Sequence, residues 1–398
     1  MKIRNHFTVK LKDIPVYLIL IPFLYPRGFS EHFSWYKQFF TLWLYAAMGV
    51  TFLLFLQRVT WKRVRHKKCT IPMLVFFLLM VCITLAVRKG IGEGLQKMFA
   101  APALCLLCMM LLKKDPDMFL RCLTNILIAN FLLNLTLFSP LLWKPYFDVD
   151  EHLTFLGHVQ VSSQLGILGL LVSYLLRSGG KKSKARLLWL LSLATMVMSE
   201  TVASAIALVL ILGGTALWRM GFHFKRFSKW AWALVAVWLV CSVGLLALTV
   251  RLNGKYYMFG VNVSMSGRMF IWRAALDLME SHWLLGHGVH GALIHVFWSE
   301  TGMNYAHSQL MQCLLDGGII LAVAFTVMLA SYTRGIRRTC DKRLAYCANL
   351  CLGAFLAIML IESVTEYHYF YLFLSLLAYL PDMACRIREQ AGGNNENC

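Results

Sequence analysis

Long apolar runs alternate with short polar or basic segments along the whole 398-residue chain. Apolar helices that can cross about 30 Å of hydrocarbon are typical of membrane proteins. We predict twelve such spans, at residues 14–29, 38–56, 70–87, 98–112, 118–142, 159–176, 187–199, 202–218, 230–250, 308–332, 344–361 and 369–385. The pattern therefore predicts an all-α, polytopic integral membrane protein.

One apolar run has two interpretations. Residues 187–218 contain no Lys or Arg but are interrupted at Ser199, Glu200 and Thr201. A single long helix would bury Glu200 near the middle of the bilayer, where a carboxylate is costly. Two helices with an external turn bring Glu200 to the surface, so we predict a hairpin.

Composition supports the membrane class. Hydrophobic residues make up 59% of the chain and charged residues 15%, and the mean hydropathy is +0.63. A soluble domain of this size would expose too much of that apolar surface. The spans divide the chain into residues 1–250 with nine helices, a long loop at 251–307, and residues 308–398 with three helices and a polar tail.

The charge distribution orients the spans. With the N-terminus in the cytoplasm, 29 of the 39 Lys and Arg residues fall in cytoplasmic segments or, for Arg121, near the cytoplasmic end of a span, as the positive-inside rule requires. Both termini are then cytoplasmic, and the loop 251–307 is external. The net charge of +20 is mainly a topology signal with the lipid bilayer as its counterpart, and we expect no nucleic-acid partner.

Arg268 is the first candidate for chemistry in the external loop. It precedes an amphipathic stretch at 269–280 that predicts a helix lying on the membrane or on the bundle. A guanidinium beside backbone N–H groups at a helix start suits a diphosphate. An interfacial Arg that contacts lipid headgroups is the alternative.

His307 ends the same loop. An imidazole titrates near neutral pH, so it suits a proton acceptor, whereas a helix-capping or packing histidine is the alternative. The loop contains four more histidines, but their spacing matches no familiar zinc motif. We predict neither a metal nor a cofactor.

Other external residues are candidates for substrate binding. Arg88, Lys89 and Lys97 flank a short external turn against the charge rule, so they are possible anion contacts or simply snorkelling side chains. Trp272 suits sugar stacking, although interfacial anchoring is the commoner use of tryptophan there. Gly286, Gly288 and Gly291 in LLGHGVHG predict a structural turn.

The segments SGRMFIWRAAL, LLGHG and HSQLMQCLLDGG resemble the superfamily of O-antigen ligases and polysaccharide polymerases. The positions that carry the resemblance are Gly267, Arg268, Trp272, His307, Ser308, Gln312, Gly317 and Gly318. A weaker match is FLGHVQVSSQLG at 155–166, which places His158 in a family segment. Glu362 lies where members often carry a glutamate. The family usually has an arginine at the hairpin turn, where this chain has Glu200.

The resemblance implies a metal-independent, inverting glycosyltransferase of the bacterial cytoplasmic (inner) membrane with its active face periplasmic or extracellular. The donor would be a polyprenyl-diphosphate-linked glycan and the acceptor a lipid- or glycan-linked sugar. His307 and Arg268 would be catalytic, and Arg88, Lys89, Lys97, His158, Trp272 and Glu362 would bind substrate. A transporter or flippase of the same surface-glycan pathway is the alternative from another class.

Overall fold

The computed structural model describes residues 10–30, 32–58, 69–88, 91–139, 153–222, 230–252, 257–258, 261–262 and 267–390. The α-helices among them are α1 (Ile14–Leu24), α2 (Ser34–Arg58), α3 (Thr70–Val87), α4 (Ile91–Lys114), α5 (Pro116–Leu135), α6 (Val159–Ser178), α7 (Lys182–Val197), α8 (Val202–Arg219), α9 (Ala231–Leu252), α10 (Arg268–Met279), α11 (Gln309–Arg338), α12 (Lys342–Ile358) and α13 (His368–Gln390). A helix occupies the place of each predicted span, and α10 lies in the long loop.

Seven of these helices are long and apolar enough to cross a membrane: α2, α3, α5, α6, α8, α9 and α11. The chain is therefore an α-helical, multi-pass membrane protein, while the count of twelve spans remains a prediction. The first predicted span was too long, because α1 ends at Leu24. Tyr25 is extended (φ −65°, ψ 146°), as a residue before proline prefers.

The run at 187–218 forms two helices, as predicted. Helix α7 ends at Val197 and α8 begins at Val202, where the Thr201 hydroxyl caps the new helix by accepting from the N–H of Ser204 at 3.2 Å. Glu200 is exposed and has a left-handed backbone (φ 51°). Short polar side chains that cap a helix start make such a break favourable.

Short strand pairs accompany the helices, which the all-α prediction did not include. They are β1 (Leu153–Thr154) with β2 (Gly157–His158), β3 (Tyr257–Met258) with β4 (Val261–Asn262), and β5 (Ile294–Val296) with β6 (Ser299–Met303). The loop also has its own apolar core, in which Trp272 and Ile294 pack on Met311 and Leu315 of α11. The part of the loop from residue 267 onward is therefore folded onto the bundle.

A break in α11 joins this loop to the bundle. The N–H of Ile319 donates to the carbonyl of Trp283 at 2.9 Å, while the carbonyl of Leu315 accepts from the N–H of His287 at 2.7 Å. The helical bond between residues 315 and 319 is thus replaced by two bonds to the loop, so the kink leaves neither group unpaired.

Two glycines permit this contact. Gly318 has φ +61°, and a Cβ there would lie 2.2 Å from the Leu284 carbonyl carbon. Gly286 has φ +62°, and a Cβ would lie 2.5 Å from the Leu315 oxygen. Both the backbone conformation and the close approach require glycine.

Helices α6 and α13 lie at the centre of the bundle. Helix α6 packs on α7, α12 and α13, and α13 also packs on α4 and α11. The N-terminal end of α6 therefore meets the connection between α12 and α13, which includes a 3₁₀ turn at Val364–Glu366. The candidate site is built at this end.

Candidate active site

Glu362 is the centre of a polar cluster at this end of the bundle. Its side chain is 1% exposed. It accepts hydrogen bonds from Arg268 Nη2 at 2.5 Å, from the Tyr305 hydroxyl at 2.9 Å and from the side chain of Gln160, and His307 Nδ1 lies 3.2 Å from its Oε2. Three separate segments, the start of α6, the long loop and the α12–α13 connection, thus meet at one carboxylate.

Arg268 is held at the first position of α10. The preceding Gly267 has a left-handed backbone (φ 85°), which turns the chain into the helix. Arg268 Nε donates to the carbonyl of Ile361 at 3.0 Å while Nη2 reaches Glu362. The side chain remains 20% exposed, so the guanidinium lies at the boundary between the buried carboxylate and the outside.

His307 lies next to it in a strained backbone conformation, with φ 48°. Two hydrogen bonds fix the residue before it: Trp272 Nε1 donates to the carbonyl of Ala306 and the N–H of Ala306 donates to Gln312 Oε1, both at 2.9 Å. The side chain of His307 is 26% exposed. Left-handed residues other than glycine often mark functional positions, because the surrounding structure must hold them there.

The electrostatics keep Glu362 ionised. Burial by itself would raise the pKa of Glu362, but the hydrogen bond from His307 and the charges of His307 and Arg268 outweigh burial and lower that pKa. Burial also raises the pKa of Tyr305 well above its usual value, so Tyr305 stays a protonated donor. The cluster is thus one carboxylate that orients a cation and an imidazole.

Two predicted substrate residues have other contacts. Trp272 is 1% exposed, and its indole supports Ala306 instead of facing outward for stacking. His158 caps α6, and its Nδ1 accepts from the N–H of Gln160 at 3.4 Å. In the segment 155–166, the side chain that donates to Glu362 is that of Gln160. Sequence reasoning had singled out His158 in this segment and not Gln160.

The basic residues near the short external turn differ from one another. Lys97 is buried and paired with Asp316 at 2.8 Å and Glu366 at 2.5 Å, so its charge is already balanced. Arg88 is exposed at the end of α3 (φ 58°). Lys89 lies outside the described residues.

Sequence reasoning missed a further basic residue, Arg27, because it counted Arg27 within the first span. The N–H of Arg27 donates to the carbonyl of Leu156 at 3.2 Å, close to the segment that carries Gln160. Its guanidinium lies 5.5 Å from the ring centre of Tyr367, the residue after Glu366. A proline-terminated first helix, signalled by Pro26, would have placed Arg27 outside the span.

Within the described ranges, no group of three His, Cys, Asp or Glu side chains is placed to hold a metal ion. Metal independence itself stays a prediction. The site offers a guanidinium, an imidazole and a buried carboxylate, which together suit binding an anion and accepting a proton.

A multi-pass membrane protein with this site can be compared with known families. Residues 187–326 match the family model described as O-antigen ligase, and this segment includes both Arg268 and His307. This match supports a relationship to an O-antigen ligase-like superfamily and indicates a membrane glycosyltransferase of the ligase or polymerase type. A search of curated proteins gave no match.

Proposed function

We propose that this protein transfers a glycan from a polyprenyl diphosphate to an acceptor sugar, with inversion at the anomeric carbon and without a metal. The observation that carries the proposal is the convergence of Arg268 and His307 on buried Glu362. Arg268 and His307 belong to the segment that matches the family model, whereas Glu362 lies outside that segment. We further propose that this face of the bundle is the external one, as the charge distribution indicates.

His307 would act as the proton acceptor. If its Nδ1–H donates to Glu362, the lone pair of Nε2 is left to accept the proton of the acceptor hydroxyl. That hydroxyl oxygen attacks the anomeric carbon from the side opposite the diphosphate. The bond from the anomeric carbon to the diphosphate oxygen breaks, and the lipid diphosphate leaves with the electron pair.

Arg268 would stabilise the leaving diphosphate. Charge develops on the bridging oxygen as the bond breaks, and a guanidinium that is already oriented by Glu362 and Ile361 stabilises that charge without reorganisation. An arginine suits this role better than a flexible lysine, because the planar guanidinium can donate to two phosphate oxygens at once.

A second cation would come from Arg27 or Arg88. Glu200 stands where the family usually has an arginine, and the charge of Lys97 is already balanced by two carboxylates. Arg27 lies beside Tyr367 and Leu156, so we favour it over Arg88 at the end of α3.

The test uses the purified protein, a lipid-linked glycan donor and two acceptors, lipid A-core and a second lipid-linked glycan. Transfer to lipid A-core indicates a ligase, and chain growth indicates a polymerase. We expect Arg268→Ala and His307→Ala to reduce transfer by about two to four orders of magnitude, and Arg27→Gln to reduce it more than Arg88→Gln.

Matched controls are Arg273→Ala, which removes a partly exposed arginine paired with Asp277 on the same helix, and His295→Ala, which removes an exposed histidine from the same loop. Both should retain transfer. Near-normal transfer by either site variant would remove that residue from the mechanism. Movement of intact donor across the membrane without any glycan transfer would favour the flippase instead.

A further inference from the structure

A second polar feature lies far from Glu362, between the ends of four helices. It is a cavity of about 530 Å³ bounded by the C-terminal ends of α6 and α8 and the N-terminal ends of α7 and α12. Five basic side chains line it: Arg177, Lys182, Arg186, Arg219 and Arg343. No acidic residue is among the lining residues, so the cavity is strongly basic.

Helices α6 and α12 each run from this cavity to the candidate active site, so the cavity and the site lie at opposite ends of these helices. Helix α6 carries Gln160 at one end and Arg177 at the other, and α12 begins at the cavity and leads to Glu362. Seventeen residues of helix span about 25 Å, close to the thickness of the hydrocarbon core. The cavity therefore opens at the opposite membrane surface, which the charge distribution assigns to the cytoplasm.

The cations of the cavity are not matched by nearby carboxylates. In the part of the chain that the structure describes, none of the five takes part in an ion pair. Asp341 lines an adjoining cavity, but its carboxylate accepts from the Ser178 hydroxyl at 2.6 Å and from the N–H groups of Arg343 and Leu344. Asp341 thus caps α12, and the cavity keeps an excess of positive charge.

The walls of the cavity are apolar and aromatic. Tyr174, Trp189, Trp218 and Leu190 line it beside the basic residues, and Leu190 is 59% exposed on an apolar helix. An anionic group that enters between the helices would meet the cations, and a hydrocarbon chain attached to it would lie along these walls and the lipid-facing surface. Tryptophans at this depth suit the headgroup region of a bilayer.

We infer that this cavity binds the phosphate headgroup of an anionic glycerophospholipid from the cytoplasmic leaflet. Basic pockets between membrane helices on that side select such headgroups because the leaflet presents them at high concentration. A bound lipid would hold α6 against α12, the two helices that lead to Gln160 and Glu362. The inference is independent of the glycan-transfer proposal, since the two sites lie at opposite ends of the bundle.

The experiment is a native mass spectrometry titration of the purified full-length protein with cardiolipin, phosphatidylglycerol and phosphatidylcholine. The test variant is Arg177→Gln/Arg343→Gln. The control, Arg337→Gln/Arg338→Gln, removes two exposed charges from the C-terminal end of α11. These residues lie next to the connection between α11 and α12, but they do not line the cavity. Each cavity cation removed should weaken binding about fivefold, so we expect about 25-fold for the test variant and little change for the control.

Equal weakening in both double variants would overturn the inference, because it would indicate a diffuse surface charge. Undiminished binding by the test variant would overturn it as well. If that variant does not elute as a single species, Lys182→Gln/Arg186→Gln, at two exposed positions, takes its place with the same expected weakening. Competition by inorganic pyrophosphate at concentrations similar to those of the lipid would assign the cavity to a soluble anion instead.

Discussion

Glu362 and Glu366 stand four residues apart in the same connection, and each meets one basic side chain and one histidine. Glu362 meets Arg268 and His307, whose side chains are 20% and 26% exposed. Glu366 meets Lys97 and His290, whose side chains are 6% and 17% exposed. Similar residues have thus formed two clusters that differ in access.

The charges of the two clusters differ as well. Asp316 adds a second carboxylate to the Glu366 cluster, at 2.8 Å from Lys97, so two anions face a lysine and a histidine. The Glu362 cluster has one anion for an arginine and a histidine. For the same protonation state of the two histidines, the Glu362 cluster therefore carries one more positive charge than the Glu366 cluster. Greater burial with a second carboxylate suits a structural role, and greater exposure with a more positive charge suits binding an anion.

Among changes to Glu362, Lys97 and His290, Glu362→Gln should have the largest effect. The amide keeps the shape of the side chain but removes the charge that orients Arg268 and His307, so we expect glycan transfer to fall by at least about a hundredfold. Protein recovery should change little. Glu280→Gln, at an exposed position directly after α10, is the control. Transfer within a few-fold of wild type would mean that Glu362 does not position the site.

Lys97→Met should act on stability instead. It leaves Asp316 and Glu366 buried without their cation, and breaking a buried pair in this way costs about 3–5 kcal/mol. We expect a lower unfolding temperature in detergent and poor recovery of monodisperse protein. The control is Lys113→Met, at an exposed position near the end of the same helix. If the Lys97→Met protein has normal stability but no longer transfers glycan, Lys97 binds substrate, as the sequence predicted.

The smallest effect concerns His290 and pH. Burial and the charge of Lys97 would lower the pKa of His290, but the hydrogen bond to Glu366 and the charges of Glu366 and Asp316 together outweigh them, and the net shift is upward from 6.5. A raised pKa contributes stability that is fully present below about pH 6.5 and is lost as pH rises through the folded-state value. We expect this dependence in the unfolding temperature between about pH 6 and 8 to be weaker in His290→Gln.

His295→Gln should leave that dependence unchanged, because His295 is exposed in the same loop. Identical pH profiles for wild type and His290→Gln would show that His290 does not stabilise the cluster by its charge. Glu366 will not interfere with the measurement. Burial would raise its pKa, but the charge of Lys97 and the hydrogen bond from His290 hold it at about 2, below the measured range.

Much of the architecture follows from the sequence alone, because apolar runs and helix breaks are local properties. The apolar pattern predicted a helix at each of twelve places, and Ser199 to Thr201 predicted the break between α7 and α8. The amphipathic stretch at 269–280 predicted a helix there, and α10 spans Arg268–Met279. Errors occurred at helix ends, as at Pro26, where the signal was present but was not used.

The site depended on contacts between residues far apart in the chain. Arg268 and Glu362 are separated by 94 residues and Lys97 and Asp316 by 219, so no local pattern could tell which carboxylate each cation would meet. The sequence identified Arg268 and His307 as catalytic candidates and Lys97 as a substrate-binding candidate, all three on the external side. Only the packing of the helices decided that Lys97 is enclosed by two carboxylates, whereas Arg268 and His307 share the carboxylate of Glu362 at an accessible surface. Burial and charge balance are properties of the assembled bundle, so the sequence alone could not decide between these outcomes.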